Sequence, residues 1–193
     1  LHLRFHLERV MESTFSGRGK WENVYMYKIL MSLIRKRPRD LVKLCSLAAQ
    51  QAQQTNSPLI KTEHFQAIFE EYSQGRIQDT INEYKSELPN IENLLFGMRP
   101  TKKQRNASDG YIYTTAELIQ KLNNIRQHTN FIFKNGRKAS ANELAQFLYK
   151  INFLTARKIV ESGEIQRKYF EENRYISSSF VDFGYDWEVH PAF

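Results

Sequence analysis

One cysteine in 193 residues is the first constraint. Cys45 alone cannot form an intramolecular disulfide or a cysteine-based zinc cluster, which fits a reducing, cytoplasmic setting. It lies in the apolar stretch Leu44-Cys45-Ser46-Leu47-Ala48-Ala49 and reads as a buried thiol. No apolar run approaches the ~18 residues of a membrane span. The start, Leu1-His2-Leu3-Arg4-Phe5-His6, lacks the order and the cleavage site of a signal peptide. An initiator methionine is missing too, so a segment of a longer protein is expected.

Chemistry-bearing motifs are also missing. A phosphate-binding loop needs Gly-x-x-x-x-Gly-Lys-Ser/Thr. The nearest string, Ser16-Gly17-Arg18-Gly19-Lys20-Trp21, has one residue between its glycines and no hydroxyl after the lysine, and reads as a basic turn before a helix. Neither Gly-x-Gly-x-x-Gly nor Gly-x-Ser-x-Gly occurs. His2 and His6 share a metal-binding spacing, but Arg9 and Val10 one turn on cannot ligate. His190 has no Ser or Cys partner identifiable by sequence. Glu70-Glu71 and Glu171-Glu172 are adjacent pairs whose side chains diverge on a helix, so neither is an acid/base pair. No active site or metal site is expected in this chain, and no enzyme.

What is present is a globular composition, 41% hydrophobic, 25% charged and 13% aromatic, with a net charge of +7. From residue 94 onward there are 15 Lys/Arg against 10 Asp/Glu, a basic excess that permits nucleic-acid contact without requiring it. The fold class expected is mainly α: a lid-like helical bundle over 1–98, a basic linker or loop over 99–110, and over 111–193 a winged helix-turn-helix with a small C-terminal β-hairpin or sheet.

The elements behind that expectation follow from spacing. Val24 to Ile34 has an amphipathic helical period. Pro38 opens a second helix, running to about Gln54 with Leu41, Leu44, Cys45, Ala48 and Ala52 inward. Thr62 is placed to cap a third, with Phe65, Ile68, Phe69 and Tyr72 inward, and Gly75 allows a break. A short segment carries Ile91, Leu94, Leu95 and Met98. Thr114-Thr115-Ala116-Glu117 and Ser140-Ala141-Asn142-Glu143 are capping boxes, each followed by a helical stripe. Phe153 to Val160 and Ile165 to Phe170 read as strands of a hairpin turning over Glu161-Ser162-Gly163-Glu164. Tyr175 to Phe183 and Trp187 to Val189 are further extended candidates.

Two groups of residues are candidates for function. Arg35-Lys36-Arg37-Pro38-Arg39 stands at a helix start, where an Arg on the first turn is held rigidly enough to reach a phosphate on a neighbouring domain. A solvated corner is the alternative. In the second half, Asn142, Gln146 and Lys150 share a face of the Ser140 helix and could meet DNA bases, while Lys134, Arg137, Lys138, Arg157, Lys158, Arg167 and Lys168 could meet phosphates. Ordinary surface residues, or a protein–protein role, are the competing readings.

The string Lys36-Arg37-Pro38-Arg39-Asp40-Leu41-Val42-Lys43-Leu44-Cys45-Ser46-Leu47-Ala48-Ala49, followed by Ala52, resembles the lid of AAA+ and STAND-like P-loop ATPases. Tyr72-Ser73-x-x-Arg76 with Asp79 and Glu83 resembles the helix that leaves this lid in a bacterial group of these ATPases. Tyr185-x-Trp187-Glu188-Val189-His190-Pro191-Ala192-Phe193 resembles the last strand of their winged-helix module. The resemblance implies a nucleotide-sensing Arg39, with Arg37 as second choice, and a non-catalytic C-terminal region coupling nucleotide state to DNA or protein binding. It implies ATP and Mg for the intact parent, none for this segment, and as partner an upstream P-loop core in the same chain, with oligomers possible and no membrane. The Walker A and Walker B elements of that family are absent from this sequence. A freestanding winged-helix regulator or adaptor is the other reading.

Overall fold

The computed structural model describes residues 20–21, 24–25, 30–31, 38–100, 111–171, 173–174, 176 and 184–193. Its elements are β1 (Lys20–Trp21), β2 (Val24–Tyr25), α1 (Pro38–Gln54), α2 (Thr62–Tyr84), α3 (Ile91–Gly97), β3 (Ile112–Tyr113), α4 (Thr115–His128), α5 (Ala141–Lys150), β4 (Leu154–Ile159), β5 (Ile165–Lys168) and β6 (Asp186–Val189). Helices with a small antiparallel sheet are thus the architecture of the described residues. The chain divides into two compact units, Leu1–Arg76 with Ala192, and Ile77–Pro191 with Phe193. Most of the expected linker, residues 101–110, lies outside the described residues. Divided at Arg76, the formal charge is +5 over residues 1–76 and only +2 over 77–193.

In the first unit, Pro38 opens α1 because its missing N–H is no loss on a first helical turn. Leu44, Ala48 and Ala52 recur every four residues and are buried, against Ile60, Phe65, Ile68 and Tyr72. Thr55 closes α1, its hydroxyl donating to the Gln51 and Ala52 carbonyls, and Asn56 takes a left-handed φ of 53°. Helix α2 starts at Thr62, which is its first residue rather than its cap. His64 does the capping work, its Nδ1 accepting the Lys61 N–H at 2.9 Å.

Helix α2 also runs unbroken through Gly75. The glycine serves close approach instead: a Cβ there would stand 2.9 Å from the Lys43 Nζ. The expected helix from Val24 is a second departure, because Val24 and Tyr25 pair as a strand with Trp21 and Lys20. Trp, Val and Tyr favour extended backbone, which outweighs the helical period there. Lys20-Trp21 is therefore strand and not turn. Leu30 and Met31 are helical. The rest of both stretches lies outside the described residues.

In the second unit both capping boxes form. The Thr114 and Ser140 hydroxyls accept from the Glu117 and Glu143 N–H groups, and each glutamate reaches back to the cap's own N–H. Helix α5 buries Leu144, Phe147 and Leu148. Ile151 and Phe153 follow into the core, and β4 then begins. The β4–β5 hairpin pairs Ile159 with Ile165 and Arg157 with Arg167, and its turn uses Gly163 at φ 79°. Strand β6 returns to lie between β3 and β4, giving the order β3-β6-β4-β5. Its Trp187 is buried edge-on to Tyr149 at 5.5 Å and donates its Nε1–H to the Thr115 hydroxyl. Of the other extended candidate, Ile176 is helical and 177–183 lie outside the described residues.

Candidate functional site

The first turn of α1 carries the nucleotide-sensing candidate. Arg39 is exposed, 64% of its side chain open to solvent, with its Nε 3.9 Å from Asp40 Oδ1. Asp40 beside it is buried. Arg76 on α2, also buried, donates from Nη1 to Asp40 Oδ1 at 2.9 Å and stands 2.8 Å from Oδ2. A guanidinium at contact distance supplies the opposite charge that a buried carboxylate needs. That pair fixes the turn, so the exposed arginine next to it projects from a rigid base. Arg37, the second choice, lies outside the described residues.

Tyr72 packs one helical turn before Arg76. Its hydroxyl is buried without a hydrogen bond among the described residues. Burial, and then the Asp40 carboxylate, push its pKa up to about 12. Cys45 is likewise pushed up by burial, to about 11, which leaves a protonated thiol rather than a nucleophile at neutral pH.

Both halves of the Asp40–Arg76 pair stood in strings that the sequence singled out, yet their meeting went unseen. A signal was present. Asp40 precedes Leu44, Ala48 and Ala52 by one step of the same four-residue stripe, and Arg76 extends the stripe of Ile68 and Tyr72. A charge at the end of each of two buried stripes asks for a partner of opposite sign.

The candidate DNA contacts of the second unit scatter when placed. Asn142, Lys134 and Lys138 are exposed, and Gln146 is half-buried. Lys150 Nζ donates to both Glu87 oxygens, at 2.7 and 2.9 Å. Arg137 is ion-paired with Glu143. Arg167 grips Glu188 through Nε and Nη2, at 2.6 and 2.9 Å, and that bond raises its pKa above the ordinary value. Lys158 and Lys168 stand over the Tyr185 ring at 5.8 and 5.5 Å. Arg157 faces Arg167 and Asp186 in the strand register, with its Nε buried and unbonded among the described residues. Three of the eight cations drawn from loops, helix and hairpin thus already hold a carboxylate. Among the described residues no group of three His, Cys, Asp or Glu could hold a metal ion, and no helix is long and apolar enough to cross a membrane.

The first unit is a helical domain whose helix pair is locked by a buried charge pair. Residues 6–81 match a family model described as a FunZ-associated C-terminal helical domain, a span that takes in α1 and most of α2. No curated protein and no solved structure matches the chain.

Proposed function

We propose that this chain is the non-catalytic C-terminal region of a P-loop ATPase, in which the first unit senses nucleotide and the second binds a macromolecular partner. The observation that carries this reading is Arg39: an exposed guanidinium beside a buried, paired aspartate. A guanidinium carried on a braced helix turn loses less entropy on meeting a phosphate than one on a mobile loop. The basic excess of residues 1–76 supports an anionic neighbour for this unit. The description of the matched family, a C-terminal helical domain associated with FunZ, supports attachment to a larger protein. ATP and Mg would sit in the parent's core, since this chain has no Walker elements to hold them, and the chain's own contribution is the charge at Arg39.

The second unit is read as a winged-helix module, with α4 and α5 as its helix pair and β4–β5 as its wing. The hairpin directly after α5 and its cations Lys158 and Lys168 also favour a second reading, a freestanding winged-helix regulator that contacts DNA.

Arg39→Ala in the full-length protein tests the sensor. ATP turnover should fall while the isolated chain keeps its helical circular dichroism. Unchanged turnover removes the ATPase reading of Arg39. A salt titration of duplex binding tests the DNA reading: no affinity at ~50 mM salt, or a flat slope, removes it.

A further inference from the structure

The second unit holds a cavity of about 290 Å³ behind the end of α3. That is the small end of the ~300–1,000 Å³ usual for ligand sites, with room for one ring and a short chain. Leu95, Met98, Phe153 and Val189 form its apolar wall, and all four are buried. Tyr111, also in the lining, is 47% exposed and marks the open side. The wall is braced. The Val189 N–H donates to the Tyr111 carbonyl at 2.9 Å, and the Phe153 ring packs against that of Phe193 at 4.8 Å.

Arg99 is the only charged side chain in that lining. Its backbone is fixed from two sides: the Arg99 N–H donates to the Phe96 carbonyl at 3.1 Å, and the Lys121 ammonium donates to the Arg99 carbonyl at 2.9 Å. The guanidinium rests over the Phe96 ring at 4.4 Å. Among the described residues no carboxylate, of a side chain or of the chain end, is paired with it. Here Arg99 differs from Lys150, Arg137 and Arg167, whose carboxylates are already in place. Nor does Lys121 bring an acid to this corner, since burial alone lowers its pKa from the ordinary value. Positive charge that the fold leaves unneutralised therefore stands beside an open apolar wall.

We propose that this cavity is a binding site for a small amphipathic carboxylate, with Arg99 as the residue that selects its charge. One ring or a short branched chain lies against Leu95, Met98, Phe153 and Val189. The carboxylate accepts two N–H bonds from the planar guanidinium fork, a match of geometry as well as of sign. A neutral ligand of the same shape leaves the guanidinium unanswered, and a bare anion leaves the apolar wall in water. The site is independent of Arg39 and gives the second unit a ligand of its own.

The test is an amide-resolved NMR titration of the whole chain with hydrocinnamate, its neutral amide, acetate and the blocked dipeptide Ac-Phe-Asp-NH2. Hydrocinnamate should shift the amides of Met98, Arg99 and Val189 with a Kd on the order of 1 mM, and the neutral amide and acetate should each bind at least ~10-fold more weakly. Arg99→Met keeps an apolar stem over Phe96 and removes the charge. It should weaken hydrocinnamate by about 10-fold and leave the neutral amide's binding and the rest of the spectrum in place. Three results would overturn the proposal: no shift at these amides up to ~10 mM hydrocinnamate, a neutral amide or acetate that binds as well, or unchanged hydrocinnamate affinity in Arg99→Met. Tighter binding of the dipeptide than of hydrocinnamate would make the cavity a docking site for an acidic segment of another protein, and would overturn the small-molecule assignment.

Discussion

Arg76 and Asp40, 36 residues apart in sequence, meet at 2.8–2.9 Å with their side chains only 3% and 7% exposed. Removing one partner strands the other charge away from water, whereas removing both leaves only apolar surface. Arg76→Met alone should therefore cost on the order of 3–5 kcal/mol. The double variant Asp40→Leu/Arg76→Met should recover most of that loss. Urea unfolding of the three variants decides it, and a double variant no better than the single would mean that the pair is not what holds this turn.

Cys45 and Tyr72 set an alkaline limit on the first unit. Folding raises both pKa values, so the folded state favours the protonated forms. Their contribution is complete below the unfolded values of 9.0 and 10.0 and is lost as pH rises toward about 11 and 12. Stability measured by urea unfolding should thus fall from about pH 9 upward, and a Tyr72→Phe variant should fall less. In the same range iodoacetamide should label Cys45 only slowly until the chain unfolds.

Gly75 and Gly97 should respond in opposite ways to alanine. At Gly75 the added methyl meets only the end of the Lys43 side chain, which can swing away, so the helix gains ~0.5–1 kcal/mol. At Gly97 it meets three atoms of the Ile125 side chain at 3.0–3.1 Å, part of the core's edge. That variant should lose stability by ~1–3 kcal/mol through overpacking. Thermal melts of the two proteins side by side would show the divergence.

The capping boxes give a fourth expectation. Thr114→Ala and Ser140→Ala should each cost about 1 kcal/mol. The Thr114 N–H and then its hydroxyl hold the Glu117 carboxyl below its ordinary range. A depressed carboxylate stabilises at neutral pH and loses that contribution as pH falls through its folded value. The Thr114→Ala penalty should accordingly shrink on acidification, as unfolding measured at neutral pH and near pH 3 would reveal.

How much was legible in advance depends on the distance over which each contact acts. Pro38 at the head of α1, the two boxes and the hairpin over Glu161–Glu164 were all readable, because each rests on partners three to five residues apart. The misses at Gly75 and Val24–Tyr25 were local too: a glycine that permits a break did not make one, and a short strand pairing replaced the helical period. The cations were misread for the opposite reason, that their partners lie further along the chain than a single turn reaches. Lys150, Arg137 and Arg167 looked available as a basic face, but Glu87, Glu143 and Glu188 had taken them.

By itself the sequence determined where α1, α4 and α5 start, where the β4–β5 hairpin turns and which of their stripes face inward, since hydrogen bonds of a single turn and the period of apolar residues are written locally. Only the tertiary structure decided which charges neutralise one another and which remain to meet a partner. Coulomb attraction follows separation in space: Lys150 and Glu87 lie 63 residues apart along the chain and 2.7 Å apart in the fold.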